Sequence, residues 1–351
     1  MSIHRVLIIA PNWIGDAVMS LPLIKKIKES DCQIDVLATP WVTPVYEACE
    51  DVNQVISGNF LHGKLQIALR WKISQLLKKS GYNSCYILPN SWKSLIIPLL
   101  AGISKKVAYE GESRKFFLSQ ALPNPDKTSR PSMVGHYLSL ALDKSSDDTD
   151  ILSDQFIPHL TIKSDVLKAS SQVLANYLPK CSHFFIFAPG AEFGPAKQWP
   201  SSHFGNEANL LLDQYKDFGI LILGSKKDSS IADKILYCVK PQHLSRIQNL
   251  CGKIPLIEAM GLLSMAKGLI SNDSGMMHIG AALQIPQVAI FGSSDPSHTP
   301  PLSKKAAIMY LGLDCSPCHQ RKCPLGHTNC LVQISPDSVF KQFNIALATE
   351  G

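Results

Sequence analysis

Asn272-Asp-Ser-Gly-Met-Met-His278 sets a carboxylate, a hydroxyl, a glycine and an imidazole between two apolar runs, Gly268–Ile270 and Val288–Phe291. An apolar run, then small polar residues, then the small-residue segment reaching Leu283, outlines a β-strand opening onto a helix N-terminus. Such a terminus presents free N–H groups and partial positive charge, which suit a phosphate or diphosphate. Asp273 or Ser274 fits the cap, Gly275 lets backbone approach a ligand closely, and His278 falls on the first turn. Taken alone, the stretch is equally an ordinary capped helix.

A second group lies in Ala188-Pro-Gly-Ala-Glu-Phe-Gly-Pro-Ala-Lys-Gln-Trp-Pro200, where an apolar run enters a Gly/Pro-rich loop that holds one lysine. Lys197 can meet a phosphate as a point charge while backbone N–H groups cradle it. A lone lysine in a rigid loop is more often a plain surface residue. Its expected place beside the Asn272–His278 strand end reverses that weighting, because open α/β sheets bind ligands at the carboxyl edge of their strands. Gly224-Ser-Lys-Lys-Asp228 ends another run on that edge. Ser225 or Lys226 there suits ribose or phosphate, with a solvated turn as the equal alternative. Asp16 follows the first apolar run, where a carboxylate can take the proton from an attacking hydroxyl. It can equally cap a helix starting at Ala17.

These groups need strands and helices in alternation to hold them, and the chain reads that way. Apolar runs at Arg5–Ala10, Ile34–Ala38, Gln54–Ile56 and Ser84–Leu88 are separated by helical periodicity over Ala17–Lys28 and Lys64–Lys79. The pattern breaks at the loop Pro123–Pro131, gives a helix over Met133–Leu142, and passes into the polar segment Lys144–Asp150, the candidate linker. After a helix at Ser164–Tyr177 it restarts with strands at Phe184–Ala188, Ile220–Leu223, Arg246–Leu250, Gly268–Ile270 and Val288–Phe291, and helices beginning near Ser202, Ser229, Pro255 and Ser274. Two Rossmann-like α/β domains facing across a cleft follow. The expected division is 1–160, then 161–335, then a C-terminal helix in 336–351 for which packing back toward the first domain is open.

At 351 residues, 18% charged and 45% hydrophobic, the chain is globular and long enough for two cores. A net charge of +6 suits an anionic ligand or a phospholipid surface. No dense Arg/Lys tract points to nucleic acid. The Lys64–Lys79 helix, basic on one face and bearing Arg70, Trp71 and Lys72, suits a membrane surface, although an ordinary solvent-facing helix is the commoner case. Met1–Ala10 lacks the parts of a signal peptide, and Ser94–Ile103 is too short to span a bilayer and contains Pro98, so a cytoplasmic location is expected. The ten cysteines are then reduced or metal-bound. Cys315, Cys318, Cys323 and Cys330 are compatible with a structural zinc site, but they lack the symmetric spacing of common zinc ribbons. Reduced, partly buried thiols are the favoured reading. No G-x-G-x-x-G or P-loop follows the first strand. Asp148-Thr-Asp150 has the form metal-dependent sugar transfer uses, but it sits in the polar linker and reads as a solvated loop.

Together, Asn12–Ala17, Pro189–Pro200 and Asn272–His278 resemble the ADP-heptose:lipopolysaccharide heptosyltransferases over nearly the whole chain. The second motif and the cysteine segment are more similar to type II than to type I. The resemblance implies a GT-B fold and inverting transfer of heptose from ADP-heptose onto heptosyl-Kdo2-lipid A, with no cofactor required. It maps the general base onto Asp16 and the diphosphate-binding lysine onto Lys197. It maps donor binding onto Asp273, Ser274, Gly275 and His278, and we place Glu192, Phe193, Ser225 and Lys226 with them. Gln198, in place of the basic residue common after that lysine, and Gly280 depart from the pattern without touching a chemical role. Acceptor binding is assigned to Asn12, Lys93, Arg114 and Lys115, with the cations Lys93, Arg114, Lys115 and Arg70 the candidates for its phosphates, although solvated surface charge explains these cations equally well. Peripheral contact with the cytoplasmic face of the inner membrane is then expected. The rival readings are a heptosyltransferase of type I or another GT-B enzyme using a different nucleotide sugar, and a non-catalytic two-domain nucleotide-sugar binding protein.

Overall fold

Residues 4–61, 63–126, 131–142 and 157–348 are described by the computed structural model. The linker expected at Lys144–Asp150, with Asp148 and Asp150, lies outside these residues, as do residues 127–130 of the loop before it. The chain divides into two units, Met1–Thr161 and Ile162–Gly351.

In the first unit the apolar runs form β1 (Arg5–Ile9), β2 (Gln33–Ala38), β3 (Gln54–Ser57), β4 (Ser84–Ile87), β5 (Lys105–Tyr109) and β6 (Gln120–Leu122). They lie in the order β3-β2-β1-β4-β5-β6 with every neighbour parallel. Parallel strands covered by helices on both faces must be apolar throughout, and Val6, Leu7 and Ile8 are accordingly buried. The second unit repeats the plan with β7 (His183–Ala188), β8 (Phe218–Ile222), β9 (Ile247–Asn249), β10 (Gly268–Asn272), β11 (Gln287–Ile290) and β12 (Ala306–Met309). Its order is β12-β11-β10-β7-β8-β9, again all parallel. In each sheet the chain therefore reverses its direction of travel between the first and fourth strands. That reversal leaves a crevice beyond the strand ends where the flanking loops part, and α/β folds place ligands there.

The structure departs from the sequence reading in several places. Strands β5, β6 and β12 were not anticipated. The first opens on two lysines, and the other two are short edge strands whose side chains are mostly half-exposed, so none shows a long apolar run. The helix expected over Ala17–Lys28 starts earlier and is two helices, Ile14–Met19 and Leu21–Lys28. Pro22 in the first turn of the second lacks the N–H needed to continue the first. Arg70 does not lie on the basic face of its helix, Ile67–Ser80, but is buried with Ile73 and Leu77. Its Nε donates to the Leu65 carbonyl, its Nη1 to that of Lys93, and its guanidinium lies over the Phe60 ring.

The C-terminal helix Pro336–Ala348 packs on the helix Ser201–Gln214 and on β11. Phe343 is fully buried in the second unit's core, over Gly268, where a β-carbon would stand 2.5 Å from its ring. Among the described residues no helix is long and apolar enough to cross a membrane.

Candidate functional site

The crevice of the second sheet lies between β7 and β10. β7 ends at Ala188 and releases the loop that carries Lys197 in a 3-10 turn, Pro195–Lys197. β10 ends at Asn272, and two residues, Asp273 and the extended Ser274, lead into the helix Gly275–Ala282. Asn272 ties the two together. Its Nδ2 donates to the Pro189 carbonyl at 2.6 Å and its Oδ1 accepts from the Trp199 amide at 3.0 Å, so one buried amide holds both ends of the loop. Trp199 is itself buried and donates through Nε1 to the Ile334 carbonyl.

So placed, Lys197 reaches Asp273, with Nζ 2.5 Å from Oδ2. Ser294, just beyond β11, donates to the same oxygen at 2.5 Å. The Lys197 side chain keeps 17% exposure against 4% for Asp273, so the ammonium has an open side and the carboxylate has almost none. Lys197 also lies over the Phe193 ring at 5.1 Å, and the Arg321 guanidinium lies over it at 5.3 Å.

The adjoining helix terminus is open to an acceptor. Ser274 occupies the N-cap position with extended backbone, but its side chain makes no cap hydrogen bond. The first-turn N–H groups thus lack a side-chain acceptor, and the Ser274 hydroxyl is buried with no partner. The capping alternative for Asp273 and Ser274 is not what these side chains do. His278 is buried on the same helix. Burial lowers its pKa to about 4, with Asp273 opposing and Lys197 reinforcing the shift, so the imidazole is neutral near pH 7.

The remaining donor candidates lie on adjacent loops. Glu192 is exposed and pairs with Lys227 at 2.6 Å, which bridges the loops after β7 and β8. Ser225 is committed to Asp228, which accepts from its amide at 2.8 Å and its hydroxyl at 2.7 Å. Lys226 is exposed at the start of that turn.

In the first unit the equivalent crevice lies between β1 and β4. Asp16 is half-buried at the third position of the helix Ile14–Met19, whose N-cap is Trp13. The carboxylate therefore does not cap a helix at Ala17; it sits in the first turn of a helix that starts earlier, where the helix dipole favours negative charge. Two buried phenols, Tyr46 and Tyr137, have their pKa raised mainly by burial and further by the Asp16 charge. Asn12 is exposed and accepts from Trp41 Nε1 through its carbonyl. Lys93 follows β4 with Nζ 3.4 Å from the Gly63 carbonyl, and Lys115 is exposed and paired with Glu110 at 2.7 Å.

Arg114 corrects the sequence reading. It is fully buried and donates to the carbonyls of Tyr109, Pro89 and Ser91, to Ser94 Oγ and to Asn90 Oδ1. Its donors are spent on knitting the loops after β4 and β5, as those of Arg70 are spent on the carbonyls of Leu65 and Lys93. Sequence reasoning gave no role to Asn272, Ser294 or Arg321. The Ser293-Ser294-Asp295 run after β11 is the same small-polar signal that marked Asn272–Ser274, and it was legible there.

Residues 70–329 match the family described as glycosyltransferase family 9 (heptosyltransferase). The chain is 34% identical over 350 residues to lipopolysaccharide heptosyltransferase 2 of Escherichia coli K12, covering 99% of both chains. It is 36% identical over 356 residues to lipooligosaccharide heptosyltransferase 2 of Haemophilus ducreyi, covering 98% of this chain and 99% of the relative. Its structure is similar to that of the E. coli ADP-heptose LPS heptosyltransferase II, with a TM-score of 0.85, 32% identity and 99% of each chain covered.

Proposed function

Because this chain belongs to glycosyltransferase family 9, the heptosyltransferases, we propose that it transfers heptose from ADP-heptose to the first heptose of the lipopolysaccharide inner core, as heptosyl-Kdo2-lipid A. It is a glycosyltransferase of the two-unit GT-B fold. The observation that carries the proposal is the pairing of a half-open lysine with an uncapped helix terminus at the β7/β10 switch point.

Breaking the sugar–phosphate bond gathers negative charge on the departing ADP and positive charge on the anomeric carbon. Lys197 and the first-turn amides at Ser274–Gly275 meet the first charge where it develops, and they are already oriented before the reaction begins. Asp273 is too buried to act on substrate from solution, so it sets the position of the ammonium. His278, being neutral, packs beneath the terminus without adding a cation. Asp16 removes the acceptor hydroxyl proton as that oxygen attacks from the face opposite the leaving group, which inverts the anomeric configuration. Asn12 of the first unit is assigned to the acceptor, and Lys93 and Lys115 to its phosphates. The exposed Trp13, Trp41, Trp92 and Phe116 of that unit suit contact with the cytoplasmic face of the inner membrane, where such a lipid resides.

The test is incubation with ADP-heptose and the monoheptosylated acceptor, read by mass spectrometry. The acceptor should gain one heptosyl unit and ADP should be released. Product formed only with a different nucleotide sugar overturns the donor assignment.

A further inference from the structure

Cys315, Cys318, Cys323 and Cys330 take no part in the chemistry above, yet all four line one cavity of about 20 Å³, together with Ala196 and Ser293. None is in a disulfide. We propose that this cavity is a structural metal site in which the four cysteines bind one zinc-like divalent ion as a tetrathiolate. Such a volume suits a single small sphere.

The ligand set is complete and local. Cys315 and Cys318 form a C-x2-C pair, Cys323 opens a tight turn, and Cys330 projects from the helix Asn329–Val332. In the Cys323 turn, Gly326 takes φ +75°, a conformation that suits glycine. The turn is closed by the Gly326 amide, which donates to the Cys323 carbonyl at 3.2 Å.

Four thiolates can share one cavity of this size only around a cation. Among the described residues no three His, Cys, Asp or Glu side chains already stand in ligating geometry, so the sulfurs must draw in to about 2.3 Å from the ion. Binding releases four thiol protons and leaves a complex of net charge −2. His327 is occupied, since its Nδ1 accepts from the Asn329 amide at 3.0 Å.

The site lies directly behind the Lys197 loop. The Ala196 amide donates to the Arg321 carbonyl, the Ser293 amide to that of Ala196, and the His319 amide to that of Ser293. Gly194 has no room for a side chain, because a β-carbon there would stand 2.5 Å from the Arg321 carbonyl oxygen. A metal that fixes the cysteine segment therefore fixes the backbone from which Lys197 extends. This positioning role rests on the donor reading given above, whereas the metal site itself does not.

The test is metal analysis of the full-length protein purified under reducing conditions without chelator. About one zinc per chain is expected, and the Cys315→Ser/Cys318→Ser variant should lose it while Cys181→Ser/Cys238→Ser keeps it. Wild-type protein stripped by chelator and titrated with Co²⁺ should show thiolate-to-cobalt charge-transfer bands and strong tetrahedral visible bands, which decides the matter even if the variant fails to fold. Loss of the metal should raise KM for the donor more than it lowers kcat. Wild-type protein that takes up neither ion, a Cys315–Cys318 disulfide in its place, or undiminished metal in the folded double variant would each overturn the proposal.

Discussion

The Lys197 ammonium stands 2.5 Å from the Asp273 carboxylate, although 76 residues separate them in the chain. The same carboxylate oxygen also accepts from Ser294, so it is saturated and nearly closed to solvent. An ammonium has three donors, and the pair occupies one of them. The other two remain for a phosphate on the exposed side, with the uncapped terminus at Ser274 adjoining. The buried carboxylate thus sets where the lysine points, and the lysine supplies the charge.

Lys197→Ala should weaken ADP binding and slow transfer together. A charge-assisted contact contributes roughly 1.5–3 kcal/mol, which is about tenfold to a hundredfold in affinity. Calorimetry with ADP reads the binding arm directly. Unchanged affinity with normal turnover would remove Lys197 from the donor site.

Asp16→Ala should abolish transfer and leave ADP affinity near the wild-type value, since Asp16 belongs to the first unit. Loss of a general base costs about 10²- to 10⁴-fold in rate. A variant turning over at near-normal rate would refute the base assignment. Weakened ADP binding would show that Asp16 serves the donor instead.

Asn272→Ala should destabilise the second unit and loosen the Lys197 loop. It leaves the buried Trp199 amide and the Pro189 carbonyl without their partner, at roughly 1–3 kcal/mol for each group left unsatisfied. Thermal melting should fall, and the donor KM should rise although Asn272 makes no proposed contact with substrate. If melting falls while KM stays fixed, the loop is held by other means.

Glu207 gives a pH-dependent stability. It is fully buried, neither carboxylate oxygen has a partner, and burial, with Asp337 adding, raises its pKa to about 9. Between pH 4.5 and about 9 the folded chain holds a proton there that the unfolded chain has released, so stability falls as pH rises through that window. The contribution is at most about 1.4 kcal/mol per pH unit. Glu207→Gln should flatten this dependence and melt higher than wild type near pH 9. Parallel melting curves at pH 5, 7 and 9 would show that the carboxyl has found a partner.

The sequence by itself determined the alternation of strands and helices, because doubly covered parallel strands must be apolar and leave runs such as Val6–Ile9 and Phe184–Phe187. It also marked Asp16, Lys197 and Asn272–His278, since small polar residues after an apolar run place chemistry at a strand's carboxyl edge. Side-chain direction was not legible. Arg70 and Arg114 read as surface cations, because nothing in a one-dimensional pattern distinguishes a guanidinium in water from one satisfied by backbone carbonyls that only the fold assembles. The short edge strands β6 and β12 went unseen because a half-exposed edge needs no apolar run. The pairing of Lys197 with Asp273 and the double tie through Asn272 were decided by tertiary structure alone. Each joins segments that become neighbours only when parallel strands stack with the order β10-β7, and strand order is fixed by long-range packing rather than by any local stretch of sequence.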